Sequence, residues 1–304
     1  MPHLLCFGLG YSARTAACRL SAGGWRITGT ARTAEGANEV IAAGYDAVVF
    51  DGTAPGSQIT AALSTATHLL VSVPPVLPSA LRGASRAGKS PGDALDPVLA
   101  HHAADIRAAP GLEAIVYLST IGVYGDTGGA WVDEASPANP GSERSRARLD
   151  AESAWLALGA ATGKRTSILR LAGIYGPGRS AIDNLKAGTA RRIVKPGQVF
   201  NRIHVEDVAS ASIAALEQPS AGGVYNVTDD EPSPPQDVIA FAADLMGLPP
   251  PPEIAFADAR LSPMGASFYA EVKRVHNARL KRDLGVILTY PTFREGLAQI
   301  LTEI

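Results

Sequence analysis

The stretch His3-Leu-Leu-Cys-Phe-Gly-Leu-Gly-Tyr-Ser-Ala13 constrains this chain more than any other. Leu4 to Phe7 is a short apolar run that reads as a buried strand; Gly8 and Gly10 follow, and Ala13 falls where a third glycine often stands. A helix-like segment from Ser12 to Leu20 comes next and is stopped by Gly23-Gly24. Strand, glycine turn and helix in this order are what a dinucleotide site requires. Gly8 makes the tight turn, and Gly10 lets the backbone approach a pyrophosphate. Tyr11, Ser12 and Ala13 open the helix, whose unpaired N–H groups and positive dipole end face that anion.

The units that follow repeat the pattern. Arg26–Thr30 reads as a second strand, ending in Thr30-Ala-Arg32-Thr33. An NAD-preferring site presents an acidic residue here to the ribose 2′-OH; Arg32 stands there instead and favours the 2′-phosphate of NADP, with NAD as the alternative. A helix over Glu35–Ala43 leads to the strand Ala47–Phe50, and a helix over Ser57–Thr65 leads to His68–Val73. Asp51, at a strand end, reads equally as a ligand of the adenine amino group and as a cap of the Gly52-Thr53 turn. Val73, at the end of the fourth strand, is placed with the cofactor-binding residues. Apolar strands without alternation, separated by helix-length segments, predict a parallel sheet covered on both faces.

Several other classes are excluded. Gly83-Ala-Ser-Arg-Ala-Gly-Lys89-Ser90 matches a phosphate-binding loop in letters only. Pro74, Pro75 and Pro78 precede it where a strand should, and Pro91 disfavours helical geometry at Ser90. A formal net charge of −2 without a basic tail leaves nucleic acid no electrostatic footprint. Cys6 and Cys18 read as small buried hydrophobes and not as a disulfide or metal site. His101-His102 are neighbours on a helix over Asp93–Ala109, point about 100° apart and do not converge on a metal; they read as surface or half-buried. No apolar run reaches membrane-spanning length, and the opening residues lack a signal-peptide pattern, so a soluble cytoplasmic protein is expected.

Farther on, Leu112–Leu118 predicts a strand running into Ser119-Thr120-Ile-Gly-Val-Tyr124-Gly125. A helix is expected over Ser142–Ala161, with Arg144, Arg148 and Glu152 at steps of four on one face. Thr166–Leu171 is a strand followed by Ala172-Gly-Ile-Tyr175-Gly-Pro-Gly178-Arg179. Asn201-Arg-Ile-His204-Val-Glu-Asp207 leads into a helix ending near Glu217, and Val224–Val227 is a last core strand. Two more helices are expected in the tail after Asp229.

These segments, from Gly8 to Arg294, resemble the short-chain dehydrogenase/reductase superfamily in its extended and atypical branches. Ser119–Gly125 is similar to the strand-end segment that carries the family's catalytic Ser or Thr. Arg170–Arg179 and Asn201–Ala209 are similar to two segments that line cofactor and substrate. The resemblance implies a Rossmann doubly wound parallel sheet, residues 1–172 and 199–228. A small, mostly helical substrate subdomain, residues 173–198 and 229–304, would lie over the strands' C-terminal edge. It also points to a homodimer, which no residue here specifies.

The family's catalytic centre is a Tyr and, four residues later, a Lys. Aligning Arg144-Ser-Arg-Ala-Arg148-Leu-Asp-Ala-Glu152 with that pattern puts Arg144 on the Tyr and Arg148 on the Lys. Arg148 can still hold the ribose by hydrogen bonds. Arg144 cannot replace the Tyr, because guanidinium stays protonated and has no acceptor lone pair. The sequence therefore belongs with atypical members. Thr120 is the group placed to polarise a carbonyl, unless it only caps the strand end. Tyr124 and Tyr175 fall near the cleft and also read as packing residues. Tyr269-Ala-Glu-Val-Lys273 satisfies Y-x-x-x-K, but in the substrate region, where Tyr269 would pack on a helix face and Lys273 would be solvated.

Two functions follow from the resemblance. One is an NADP-dependent epimerase-, dehydratase- or reductase-like enzyme acting on a small molecule such as a sugar nucleotide. There Arg144, Arg179 and Arg202 are candidate anchors for phosphate, since arginine binds phosphate bidentately, and Tyr124 and Tyr269 are candidate substrate contacts. The other is a non-catalytic NADP-binding sensor or scaffold.

Overall fold

The computed structural model describes residues 1–77 and 96–303; the Gly83–Ser90 match lies outside the described residues. Seven parallel strands form the central sheet: β1 His3–Phe7, β2 Arg26–Ala31, β3 Asp46–Val49, β4 His68–Val71, β5 Ala114–Thr120, β6 Arg165–Leu171 and β7 Gly223–Val227. Their order is β7-β6-β5-β4-β1-β2-β3, so the chain reverses direction across the sheet between β1 and β4. Such a reversal opens a crevice at the strands' C-terminal ends, where doubly wound folds bind ligands.

Helices α1 Tyr11–Ala22, α2 Ala34–Ala42, α3 Ser57–Thr65, α4 Pro97–Ala108, α5 Glu143–Thr162 and α7 Val205–Glu217 belong to the sheet. Side-chain alternation along β1 shows why both faces are covered. Leu4 and Cys6 join one apolar cluster with Ala13, Ala17, Val208 and Ala211, while Leu5 and Phe7 join another with Ile59, Leu63, Ile106 and Trp155. These four β1 side chains are fully buried, the larger ones contributing roughly 1.5–3 kcal/mol each. A Cβ at Gly29 in β2 would come within 2.7 Å of Leu9, so glycine there lets the turn after β1 pack onto the neighbouring strand.

A third apolar cluster, Tyr175, Ile182, Val238, Ala242, Phe293, Leu297 and Ile300, lies beside this layer. It is built by α6 Ala181–Lys186, α8 Pro235–Leu245 and α11 Phe293–Thr302. With α9 Pro263–Tyr269 and α10 Ala278–Leu284, four helices follow Asp229 where the sequence suggested two; α9 and α10 are only seven residues long and leave little periodicity to read. Short parallel pairings join 173–175 to 202–204, 192–194 to 253–255, and 131–132 to 274–275.

Two minor expectations are corrected. Cys18 is exposed, because α1 turns that face to solvent. His102 is fully buried, with Nδ1 2.9 Å from the Asp105 carboxylate and its ring packed near Phe7 and Phe50. Among the described residues no helix is long and apolar enough to cross a membrane.

Candidate active site

The turn after β1 is built from backbone constraints. Gly8 has φ +83°, a conformation open to glycine, and a Cβ there would lie 3.0 Å from Val73 Cγ1. Its N–H donates to Thr30 Oγ1 at 2.9 Å, and the Leu9 N–H donates to the Thr30 carbonyl at 3.1 Å, which pins the turn to β2. Gly10 caps α1 without a side chain, and nothing stands within 4 Å of where its Cβ would be. Among the described residues no acceptor faces the N–H groups of Tyr11, Ser12 or Ala13. Ala13 is fully buried, so the third fingerprint position serves helix–sheet packing. An open space bounded by free N–H groups at a helix N-terminus fits a pyrophosphate.

Arg32 is exposed one residue beyond β2 and makes no hydrogen bond or ion pair among the described residues. Asp51 takes up the turn-capping role: its Oδ1 accepts from the Thr53 N–H at 2.9 Å and the Thr53 hydroxyl at 2.7 Å. Those hydrogen bonds hold its carboxyl below the usual range.

At the end of β5, Thr120 Oγ1 accepts from the Gly122 N–H at 3.0 Å and so caps the 3₁₀ turn Ile121–Tyr124. A Cβ at Gly122 would lie 3.0 Å from Ser145 Oγ and 3.3 Å from Thr120 Oγ1, so two hydroxyls flank one bare backbone position. Along α5 burial deepens with each step of four. Arg144 is exposed, Arg148 half-buried and Glu152 buried. Arg148 Nη1 donates to the Leu118 carbonyl at 2.7 Å and the Tyr117 hydroxyl at 3.2 Å. Glu152 accepts from Arg170 Nη2 at 2.8 Å and from Nε at 3.1 and 3.2 Å, and from the Ser119 hydroxyl. The Arg170 guanidinium also lies 4.9 Å from the Tyr124 ring centre, and Tyr124 OH donates to Asn226 Oδ1 at 2.8 Å. Burial raises the pKa of Tyr124. This network braces the β5 end from both flanks.

Sequence reasoning placed Glu152 and Arg170 in motifs without pairing them. The readable signal was a Glu and an Arg in otherwise apolar surroundings, which bury only when matched.

A cavity of about 410 Å³ opens beside the third apolar cluster, lined by Arg179, Arg191, Arg202, Asp183, Ser180 and Tyr175, among others. Arg179 links it to the first βα unit: its guanidinium lies 5.9 Å from the Tyr11 ring centre, and Tyr11 OH donates to the Pro177 carbonyl at 3.1 Å. Arg202 Nη1 donates to the carbonyls of Phe200 and Ser233 at 3.0 and 3.2 Å, and burial lowers its pKa. Behind it, burial pushes the Asp229 carboxyl up to about 8, and its Oδ2 has no partner among the described residues. His204 is held neutral by burial, its pKa down to about 4, with Nδ1 capping α7 through the Glu206 N–H. Arg179 and Arg202 thus meet in one cavity, joined by Arg191, which sequence reasoning missed. Six basic residues and one acidic residue between 173 and 204 were the available signal. Arg144 does not line this cavity.

Tyr269 ends α9, its ring 5.2 Å from Phe200 and 5.3 Å from Phe256, and it does not line the cavity either. Lys273 lies past that helix and is buried, not solvated: its Nζ donates to the Gly125 carbonyl at 2.6 Å and pairs with the Glu271 carboxylate.

Comparisons with known proteins agree with this fold. The NAD dependent epimerase/dehydratase family matches residues 89–228. Protein YeeZ of Escherichia coli (strain K12) is 30% identical over 296 residues, 96% of this chain and 97% of that protein. A functionally unknown conserved protein from Silicibacter pomeroyi has a solved structure with TM-score 0.83 at 44% identity, covering 100% of this chain and 99% of that one. A human epimerase family protein solved with NADPH shares the fold at TM-score 0.72 and 17% identity, covering 99% of this chain and 100% of that one. A dTDP-glucose 4,6-dehydratase from Bacillus anthracis solved with NAD does so at 0.75 and 17%, covering 99% and 96%.

Proposed function

Because the chain belongs to the NAD dependent epimerase/dehydratase family of the short-chain dehydrogenase/reductase superfamily, we propose that it is a nicotinamide-dependent enzyme of the epimerase, dehydratase or reductase type. Its substrate is a phosphorylated small molecule such as a sugar nucleotide, and its cofactor is NADP. The observation that carries this reading is the cavity bearing Arg179, Arg191 and Arg202, coupled through Pro177 and Tyr11 to the glycine turn. Three guanidiniums around one small volume suit phosphate oxygens. Arg32, unpaired beyond β2, supports NADP over NAD, and the NADPH and NAD bound by the two distant neighbours support a nicotinamide dinucleotide.

When bound, such a cofactor supplies hydride transfer at its nicotinamide ring. The chain's own residues divide the remaining work. Free N–H groups at the start of α1 receive the pyrophosphate, Thr120 and Ser145 offer hydroxyls at the β5 end, and the arginine cavity anchors the substrate phosphate. A second reading, a non-catalytic NADP sensor, is favoured by one observation. Thr120 and Arg148 are both committed to backbone groups, and no tyrosine follows Thr120 on α5.

Calorimetric titration with NADP⁺, NADPH, NAD⁺ and NADH tests the proposal. Micromolar or tighter binding of both NADP forms is expected, with about tenfold loss on Gly8→Ala, whose Cβ meets a φ of +83° and Val73. Binding of none of the four defeats the reading; a large bias to one redox form, with no turnover in a carbonyl-substrate screen, favours the sensor.

A further inference from the structure

We propose that the phosphorylated substrate carries its phosphate on an apolar body, an aryl or alkyl group, and that the apolar wall of the arginine cavity selects that body over a sugar. The proposal deepens the reading of the cavity as a phosphate anchor and rests on it.

The lining divides by element. Every hydrogen-bonding side chain comes from residues 175–202. Helices α8 and α11 add only hydrocarbon: Pro235, Val238 and Ile239 from the first, Phe293 and Leu297 from the second. Steps of three and four place each set on one helix face. Val238, Phe293 and Leu297 also belong to the third apolar cluster, so the wall is continuous with that core. Ile239 is half-buried and stands outside the cluster, which leaves its side chain to the cavity.

The two sides suit different parts of one ligand. Arg202 uses Nη1 on the Phe200 and Ser233 carbonyls, and Arg191 uses Nη1 on the Arg260 carbonyl at 2.9 Å. Their other guanidinium nitrogens, and those of Arg179, make no hydrogen bond among the described residues. The Asp229 carboxyl behind Arg202 keeps its proton up to about 8 and leaves the guanidinium charge uncancelled near neutral pH. Asp183 commits Oδ2 to the Ser180 N–H at 2.8 Å and the Ser180 hydroxyl at 2.6 Å, and the Tyr175 hydroxyl donates to the Thr292 carbonyl. A sugar turned towards α8 and α11 would leave its hydroxyls without partners, an unfavourable loss of hydration for each one. A ring or alkyl chain gains from burial at the same place. At about 410 Å³ the cavity stands near the small end of ligand sites, about 300–1,000 Å³, which suits one phosphate on one compact body.

Four phosphate monoesters of matched charge test this: methyl, phenyl, glucose 1- and uridine 5′-phosphate, titrated by calorimetry into NADPH-saturated protein. Phenyl phosphate should bind about tenfold tighter than methyl phosphate, and glucose 1-phosphate no tighter than methyl phosphate. Ile239→Asn puts an amide on the wall outside the core cluster. It should cut the phenyl advantage to about twofold, with methyl phosphate, too small to reach the wall, binding as before and melting unchanged. Arg191→Gln should weaken all four esters by a similar factor, about threefold, which places them at this cavity. Glucose 1-phosphate or uridine 5′-phosphate binding tighter than phenyl phosphate overturns the proposal and leaves the phosphate anchor standing. A phenyl ester no tighter than the methyl ester, or equally favoured in Ile239→Asn, overturns it too. No binding of any ester defeats the phosphate anchor itself and the proposal with it, while the preceding NADPH titration scores the cofactor reading separately.

Discussion

The turn at Gly8–Ala13 and the helix Glu143–Thr162 meet the same crevice at the C-terminal edge of the sheet, and they have kept different amounts of the family pattern. The turn retains every backbone feature a dinucleotide needs: a left-handed Gly8, an uncapped Gly10 and a buried Ala13. The helix has arginines at both positions where the family carries Tyr and Lys, one exposed and one tied to the Leu118 carbonyl. Backbone sites tolerate drift in surrounding side chains because their ligands are N–H groups, which every residue but proline supplies. Side-chain chemistry has no such insurance. The reacting end can be rebuilt from another part of the chain while the nucleotide end stays fixed, and Arg202 of the proposed phosphate cavity, 82 residues beyond Thr120, fits that rebuilding.

The strongest challenge to this separation is Glu152→Ala. It removes the partner of a buried guanidinium and the acceptor of Ser119, and should cost about 3–5 kcal/mol of stability by urea unfolding. If the two regions are energetically distinct, the folded fraction at low temperature still binds NADPH with unchanged Kd. A Kd that rises in step with the lost stability would show that the brace at β5 also holds the turn, and the contrast would fail.

Legibility in the sequence divides along the same line. The seven core strands and the helices between them were readable because each buried strand is a contiguous apolar run and each helix has a local stop, such as Gly23 after α1. The glycine turn was readable because its geometry is encoded within six residues. Glu152 with Arg170, and Lys273 with Gly125, are contacts across 18 and 148 positions, and no local periodicity records them. Tyr269 shows the opposite error. Its spacing to Lys273 imitates a helical motif, yet α9 stops at Tyr269, and the two side chains serve different surroundings.

The substrate half should also reveal itself through pH. Asp229 retains its proton up to about 8 in the folded protein, against an ordinary value of 3.8. Between those values the folded state binds the extra proton, so its contribution is complete at the acid end and is lost as pH rises towards about 8, at up to about 1.4 kcal/mol per pH unit. Asp96 and Asp207 are also raised by burial, so Asp229→Asn should flatten the fall in stability between about pH 5 and 8 without abolishing it. Chemical denaturation across that window measures the slope. An unchanged slope would mean that Asp229 is ionised beside Arg202, and that the arginine cavity presents less positive charge to a phosphate than proposed.

The finest test concerns the nucleotide end alone. Arg32 follows the strand that anchors Gly8 through Thr30, and its guanidinium is free among the described residues. Arg32→Ala should leave NADH affinity unchanged and weaken NADPH about tenfold, or about 1.4 kcal/mol, the scale of one exposed charge-assisted hydrogen bond. Melting should not move, since the side chain packs against nothing. Equal losses for both nucleotides would mean that Arg32 touches the shared pyrophosphate or adenine, and preference would then have to come from the backbone around Thr33, which caps α2 by accepting from the Gly36 N–H. A loss confined to NADPH would extend the contrast inward: within the nucleotide end the turn binds any dinucleotide, and one unpaired side chain beside it chooses which.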